Sequence, residues 1–510
     1  MEVGKTALEQ GRTNSSKMES QEGIVKASYF VKTFGCQMNK HDSEVVAGLL
    51  GGEGLVPAAS VEEASLIVFL TCCVRENADE RLQGQVASLK NLKTAAREKP
   101  ETQDAGHDEQ GLHNARAHTP LIAVGGCIGQ RDGNKLLESL PHVDIVFGTH
   151  NLASLPNLYR QAVAKRDAAL SENSYVPWLP DASVELKDEA DGFAADLPST
   201  RVSPWHAWLP ITQGCDNFCT YCIVPYVRGR EVSRPLEDVV AQAQALVADG
   251  VLEITLLGQN VNSYGRDLED NKSGEPLFAE VLSAVAATGV KRLGFATSHP
   301  KDLSQKTIEV MANTPSILNH LHLPVQSGSN RILSAMGRCY TREEYLDLVS
   351  RLRDANPGIS LSTDIIVGFP GESEEDFEDT LSLAQDLVYD QMFTFLYSKR
   401  EGTPAANMEN EVAADVAQAR FERLVECVQA SARQRNEELL GSVQEVLIEG
   451  TSKRDDQMLT GRIHNAKVMH VPLPKQEGLS LDDFTGRILP VRVTEASTWF
   501  LRGEFENSMD

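Results

Sequence analysis

No run of eighteen or more apolar residues occurs in this chain, so nothing in it reads as a transmembrane helix. The opening stretch, MEVGKTALEQGRTNSSKMESQEG, lacks the apolar core of a signal peptide. It reads as a disordered tail over residues 1–23, with Met18 as an alternative start. Internal repeats and coiled-coil heptads are missing too. Positive charge is scarce: 48 Lys and Arg stand against 73 Asp and Glu, a formal net charge of −25. Phosphate binding wants the reverse. Acidity of this kind serves solubility, and any contact with nucleic acid has to be argued from local features. With no export signal the expected compartment is the cytoplasm. In that reducing setting nine cysteines point to metal binding or catalysis rather than disulfides.

The 510 residues are enough for two to four domains, and 41% apolar content is ordinary for a globular protein. Between residues 24 and 165 short apolar runs (29–33, 66–70, 121–124) alternate with helix-like stretches, the first opened by Asp42 as a candidate N-cap. That alternation predicts a doubly wound parallel α/β domain. Residues 98–119 are polar and aperiodic and read as a loop insertion. Residues 166–203, rich in Pro, Ser and acids, read as an acidic linker. From 204 to 438, six candidate strands (209–212, 254–257, 292–296, 320–323, 362–367, 392–397) are separated by helical patterns such as 236–248 and 342–353. They predict a partial, open (β/α)6 barrel, whose chemistry would lie at the C-terminal strand ends. Residues 439–507 break into short strands between turns, the pattern of a small all-β barrel.

The sequence Gly214-Cys-Asp-Asn-Phe-Cys-Thr-Tyr-Cys222 carries the spacing C-x3-C-x2-C. Three close thiolates can hold three irons of a 4Fe–4S cubane and leave the fourth iron open to chelate S-adenosylmethionine (SAM), the arrangement of a radical-SAM site. Chance would place three of nine cysteines at this spacing in roughly 0.3% of such chains. A structural zinc site is the rival, but zinc prefers four ligands in two pairs and no second C-x2-C follows. The triad Cys215, Cys219, Cys222 also comes just after the first barrel strand.

Cys36, Cys72 and Cys127 each follow a strand of the N-terminal domain. If those strands are parallel, all three lie at the edge that lines a ligand crevice, with Gly35, Gly125 and Gly126 letting backbone approach a bulky cofactor. A second three-thiolate cubane is one reading; buried packing cysteines are the other. Cys73, Cys339 and Cys427 read as bystanders. Cys73 adjoins Cys72, and neighbouring side chains point in different directions.

These residues resemble the methylthiotransferase family. The matching motifs are Thr33-Phe-Gly-Cys-Gln-Met-Asn39, Cys72 with Val74-Arg-Glu-Asn-Ala78, Gly125-Gly-Cys127, and Gly214 through Pro235. The runs Gly258 to Tyr264, Thr297 to Asp302 and His322 to Ser329 match as well, so that the resemblance spans roughly residues 26–505. Two departures are that Leu70 precedes Thr71-Cys72 where the family usually has Asn, and that Cys73 replaces a small residue; the downstream Val-Arg-Glu register selects Cys72. The resemblance implies an auxiliary 4Fe–4S cluster on Cys36, Cys72 and Cys127, a radical-SAM barrel, and a C-terminal TRAM domain. It implies replacement of C–H by C–S–CH3 at position 2 of N6-dimethylallyladenosine (position 37 of tRNA), with one SAM as methyl donor and one as radical source. The implied partners are tRNA, a low-potential electron donor of flavodoxin or ferredoxin type, and a sulfur or cluster-repair carrier; no membrane is involved.

Other residues carry two readings each. Tyr221 either contacts the adenine of SAM or packs the loop. Gly368 and Gly371, in Asp364-Ile-Ile-Val-Gly-Phe-Pro-Gly-Glu372, either let backbone approach SAM or form an ordinary strand-end turn. Gln326 and Ser327 are candidates for hydrogen bonds to SAM. His299 and His322 read as structural. Arg228, Arg230 and Arg234 either meet RNA phosphates or a SAM carboxylate, or are surface solvation. The last domain is not visibly basic, so RNA binding there rests on the resemblance and a structural lid is the alternative. Two rival functions remain. One is methylthiolation of threonylcarbamoyladenosine or of a ribosomal-protein aspartate. The other is a non-enzymatic RNA-binding iron–sulfur electron carrier, against which the three-cysteine count at each site argues, because a carrier ligates all four irons.

Overall fold

The computed structural model describes residues 27–72, 76–98, 119–171, 182–188, 192–474 and 481–506. The expected tail, Cys73 and nearly all of the 98–119 insertion lie outside the described residues.

The first unit runs β1 (Ser28–Thr33), α1 (Gln37–Gly52), β2 (Val56–Pro57), β3 (Leu66–Thr71), α2 (Glu76–Glu98), β4 (Leu121–Gly126), α3 (Cys127–Asp132), α4 (Asn134–Ser139), β5 (Ile145–Phe147), α5 (Leu155–Ser171) and β6 (Ser183–Glu185). The sheet order is β2-β1-β3-β4-β5-β6, and every pair is parallel. β3 (LIVFLT) is buried along its whole length, because a parallel sheet covered on both faces needs apolar residues at every position. Alternate residues point to opposite faces. Leu66, Val68 and Leu70 pack with Val46 and Leu50 of α1 and Leu155 and Leu158 of α5. Ile67 and Phe69 pack with Leu82 and Val86 of α2. The strand order reverses between β1 and β3, which opens a crevice at their C-terminal ends. α5 continues to Ser171 and β6 joins the sheet at Ser183, both inside the 166–203 stretch read as linker.

The second unit contains β7 (His206–Pro210), β8 (Thr212–Gln213), α6 (Val224–Arg228), β9 (Val232–Ser233), α7 (Leu236–Ala248), β10 (Glu253–Leu257), α8 (Phe278–Ala286), β11 (Arg292–Phe295), α9 (Gln305–Asn313), β12 (His320–His322), α10 (Asn330–Ala335), α11 (Arg342–Ala355), β13 (Ser360–Val367), α12 (Glu374–Leu387), β14 (Gln391–Leu396) and α13 (Ala414–Glu437). Parallel triplets β7-β10-β11 and β12-β13-β14 form its two halves. Leu293 of β11 stitches them together through backbone bonds with Ser316 and Leu318 (2.7 and 2.8 Å). No pairing closes β7 on β14 among the described residues, so the barrel is six-stranded and open, as the apolar runs predict. β7 begins three residues earlier than expected. Its His206 turns to Thr255 of β10 (3.1 Å), and this polar side chain breaks the apolar pattern by which strands are read. Capping boxes Thr341–Glu344 and Ser373–Asp376 start α11 and α12.

The third unit is a closed barrel, β15 (Val443–Ser452), β16 (Asp455–Ile463), β17 (Val468–Pro472), β18 (Ile488–Ala496) and β19 (Leu501–Phe505), in the order β15-β16-β17-β19-β18. Closure leaves no open edge. Its 463–467 tip docks on the N-terminal ends of the barrel strands of the second unit. The His464 carbonyl accepts from the Asn319 amide (3.1 Å), and Lys467 pairs with Asp390 (2.6 Å). Arg292 donates to the Ile463 carbonyl (3.1 Å) while paired with Glu253 (2.6 Å). Arg292 and Glu253 are both buried, so removing one strands the other's charge. Arg292→Met is expected to cost about 3–5 kcal/mol of stability and to loosen this tip; a wild-type unfolding curve for the variant would rule the anchor out.

Candidate functional site

Cys36, Cys72 and Cys127 sit at the C-terminal ends of β1, β3 and β4, which are three neighbours in the sheet. Cys36 occupies the N-cap of α1 and Cys127 opens α3. Cys72 and Cys127 are buried and Cys36 is half-buried. Gly35 (φ +115°) permits the convergence: a Cβ there would lie 2.1 Å from the Cys72 Cβ, a position only glycine can hold. Asn39 ties the loop down, donating to the Phe34 carbonyl (2.9 Å). Arg228 of α6 reaches in from the second unit and donates to Asn39 Oδ1 and Asp42 Oδ2, both at 2.9 Å. A bond to Cys72 brings the Cys36 thiol down to about 7, with the Arg228 charge acting in the same direction against burial.

The second triad lies on the loop after β8. Gly214 (φ +76°) passes so close to Arg230 that a Cβ would meet its carbonyl oxygen at 1.9 Å. Thr220 anchors the loop through its amide to the Met336 carbonyl and its hydroxyl to the Ala335 carbonyl, both 2.9 Å. Arg338 donates to Cys219 Sγ at 3.5 Å and to the Pro324 carbonyl at 2.7 Å. Burial pushes the Cys215 thiol up to about 11 and the Cys222 thiol up to about 12, the latter also raised by Cys219. Thiols in this state stay protonated unless a cation binds them, and a metal cluster deprotonates its ligands outright.

Among the described residues no three His, Cys, Asp or Glu side chains stand close enough to grip a single metal ion, and none of the described cysteines forms a disulfide. A cubane requires a different spacing, because each thiolate takes a separate iron. Buried sulfurs, glycine clearance and a nearby guanidinium at each triad fit such a group. α6 joins the two sites: it begins two residues after Cys222 and ends at Arg228. At 1.5 Å per residue the four steps of this five-residue helix rise about 6 Å.

The structure sorts the remaining candidates. Tyr221 packs partly buried against Ile332, Met336, Phe369 and Ala405. Gln326 is buried with φ +77°, held by backbone pairing to β13 at Asp364 and Ile366 (2.9 and 3.0 Å), a strained conformation at a strand end. Ser327 is fully buried, with its hydroxyl 3.2 Å from Thr380. Gly368 abuts Ala417 of α13, where a Cβ would come within 2.9 Å, and the Gly371 carbonyl accepts from Arg331 (2.6 Å). His299 is buried, its ring accepting from the Lys301 amide, and His322 lies against Ser362.

The basic stretch is not a row of surface cations. Arg228 and Arg234 are buried at 6% and 3% exposure. Arg234 donates to the Pro210 carbonyl, Gln242 and Asp196 (3.0, 2.7 and 3.0 Å). Arg230 is exposed and held by Asp216 in two bonds (2.7 and 2.9 Å). For Arg228 and Arg234 both the surface-solvation reading and the phosphate-facing reading are corrected by burial, since charge in a sequence says nothing of burial; Arg230 alone of the three faces solvent. Arg338 was missed: it lies 119 residues from Cys219 and no local pattern marks it. Asn39 was visible only as a motif residue, and the reading of Asp42 as an N-cap is corrected: α1 starts earlier, at Gln37 with Cys36 as its N-cap, so Asp42 is a buried residue inside the helix, turned to Arg228.

The Radical SAM superfamily matches residues 209–384, an uncharacterized protein family, UPF0004, matches residues 28–148, and the TRAM domain matches residues 437–505. The chain is 43% identical over 483 residues to the tRNA-2-methylthio-N(6)-dimethylallyladenosine synthase of Carboxydothermus hydrogenoformans, covering 94% of this chain and 99% of that one. It is 42% identical over 484 residues to the protein of the same name from Natranaerobius thermophilus, covering 94% and 97%. Among solved structures, the radical S-adenosylmethionine methyltransferase TsrM from Kitasatospora setae overlaps 75% of this chain and 77% of its own, at 14% identity and a TM-score of 0.47.

Two outcomes are expected from the thiol geometry. Cys72→Ala is expected to lose about half of the bound iron, one cubane of two, while Cys73→Ala keeps it; the reverse iron content would overturn the assignment. In metal-free protein at pH 8, Cys36 lies above its pKa and is largely thiolate, while Cys215 and Cys222 lie far below theirs. Iodoacetamide should therefore label Cys36 before Cys215 and Cys222, as mass spectrometry of the peptides would show.

Proposed function

This chain belongs to the methylthiotransferase family of radical SAM enzymes that contains the tRNA-2-methylthio-N(6)-dimethylallyladenosine synthases, and on that basis we propose that it converts N6-dimethylallyladenosine beside the anticodon of tRNA into its 2-methylthio derivative. The observation that carries the reading is the pair of cysteine triads at strand ends, joined through one short helix. We assign Cys215, Cys219 and Cys222 to the radical-generating cluster, with SAM at its open iron, and Cys36, Cys72 and Cys127 to the auxiliary cluster. When bound, these groups supply one-electron chemistry and a methylated sulfur.

The chain's own residues do the rest. Arg228 places a positive charge against the N-terminal thiols and lowers the cost of gathering negative sulfur there. Arg338 plays the corresponding part at Cys219. Two thiols of each triad are buried, Cys72 and Cys127 in one and Cys215 and Cys219 in the other, which limits the access of water to reactive species. Tyr221, Gln326, Ser327, Gly368 and Gly371 remain proposed as the SAM-side wall, with Gln326 the strained member. The three units, the first reaching to β6 at Ser183–Glu185, are proposed to act as auxiliary-cluster domain, radical domain and RNA-holding domain, the last on the strength of its TRAM match. A low-potential electron donor, a sulfur or cluster-repair carrier and a cytoplasmic setting complete the proposal. No helix among the described residues is long and apolar enough to cross a membrane.

The test is anaerobic reconstitution followed by incubation with reductant, methyl-labelled SAM and prenylated tRNA lacking the methylthio group. A labelled methylthio group on the prenylated adenosine, found by mass spectrometry of digested nucleosides, is expected. Release of 5′-deoxyadenosine with no modified nucleoside would move the substrate to threonylcarbamoyladenosine or to a protein aspartate.

A further inference from the structure

We propose that Phe218 and Tyr226 form a stacking platform for an unpaired base of the RNA substrate, adjacent to the nucleoside being modified; the inference rests on the tRNA reading above. Phe218 lies inside the cysteine loop, directly before Cys219, and Tyr226 follows Cys222 by four residues. Both rings face solvent, at 44% and 52% exposure. They meet edge to face, with centroids 6.3 Å apart and planes at 82°, which makes a fixed corner. Arg230 lies 5.7 Å from the Phe218 ring centre and is itself fixed by Asp216. Val232, 48% exposed, follows two residues after Arg230.

Three physical arguments point to a base. First, Phe218 has φ +45°, a conformation that bulky residues avoid and glycine takes freely. The fold bears that strain while leaving the ring unburied, so core packing does not explain it. Strain of this kind gathers where ligands bind; here it lies in the cysteine loop already assigned to the cluster, so the exposure of the ring is what points beyond the cluster. Second, α6 sends Val227 inward to the first unit's core while Tyr226 points out. The helix that aligns the two triads therefore also presents the ring beside them. Third, the charge balance disfavours phosphate contacts as the source of grip. The chain carries −25, Arg228 and Arg234 are buried, and Arg230 is engaged by Asp216. Stacking on aromatic or guanidinium planes needs no net charge and is how proteins hold splayed bases of single-stranded RNA loops. An electron-donor protein is the competing occupant; the charges beside the two rings are mixed, Arg230 paired with Asp216 and Glu231 next to them, rather than the single-sign face that steers such an encounter.

Binding of a fluorescently labelled prenylated anticodon stem-loop to the reconstituted full chain, read by anisotropy, tests the platform. Phe218→Ala and Tyr226→Ala are each expected to weaken binding about tenfold to a hundredfold. Phe218→Trp is expected to restore it, and affinity should fall only shallowly between low and moderate salt. Iron content reports whether the loop still folds, and Tyr226→Ala, outside the loop, decides the matter if Phe218→Ala loses iron. Wild-type affinity in Tyr226→Ala together with wild-type affinity in an iron-replete Phe218→Ala would overturn the platform and leave the tRNA reading standing. No binding by the wild-type chain would bring down both. Unchanged RNA affinity with slower reduction by flavodoxin would reassign the patch to a protein partner and overturn the proposal.

Discussion

The buried ion pair between Arg228 and Asp42 is the interaction on which the geometry of the site depends. Its side chains retain only 7% and 5% exposure, so both charges have given up most of their hydration, a cost of several kcal/mol per ion. Asp42, Asn39 and the neighbouring thiols together offset that cost. The guanidinium belongs to the second unit and its partners to the first, so the pair works as a bolt between them. Thr149 adds a hydroxyl bond to the Val227 carbonyl (2.6 Å), and Ile223 and Val227 enter the first domain's apolar core. Because Cys222 precedes this helix by two residues, the separation of the two triads is set by a rigid turn and a half of backbone rather than by a flexible domain contact.

The two triads are gathered by different devices, parallel strand ends in the first domain and a single loop after β8, which pairs antiparallel with β9, in the second. Parallel strands end together, and the residue after each strand faces a shared edge. In the first domain three separate strands each deliver one cysteine. In the barrel one strand end delivers a loop bearing all three. Glycine clearance matters at both, at Gly35 and Gly214, because thiols gathered around a bulky group need backbone closer than a side chain allows. Each set is given a cationic partner from far away in the chain, Arg228 in one case and Arg338 in the other.

The acidic surface and the RNA substrate class are reconciled by where the positive charge is spent. Much of the arginine near the site is internal: Arg228 and Arg338 serve the thiols, and Arg234 fastens β9 to the barrel. The C-terminal barrel docks through Arg292 and Lys467 on the strand ends opposite the cysteine loop.

Strands such as 66–70 were legible because burial on both faces forces a continuous apolar run, whatever the rest of the fold does. The C-x3-C-x2-C loop was legible because its chemistry requires close spacing along the chain. The three N-terminal cysteines were half legible: their positions after strands could be read, but not that β1, β3 and β4 would be neighbours. The arginine stretch misled, since one residue type serves a solvated surface and a buried pair alike. Arg338 left no trace at all. The sequence by itself determined local periodicity and the close spacing of the C-x3-C-x2-C loop, because these depend on burial and bonding within a segment. Tertiary structure alone decided which charges are buried and what they face, because an ion pair depends on distance and solvent exclusion between segments remote in the chain.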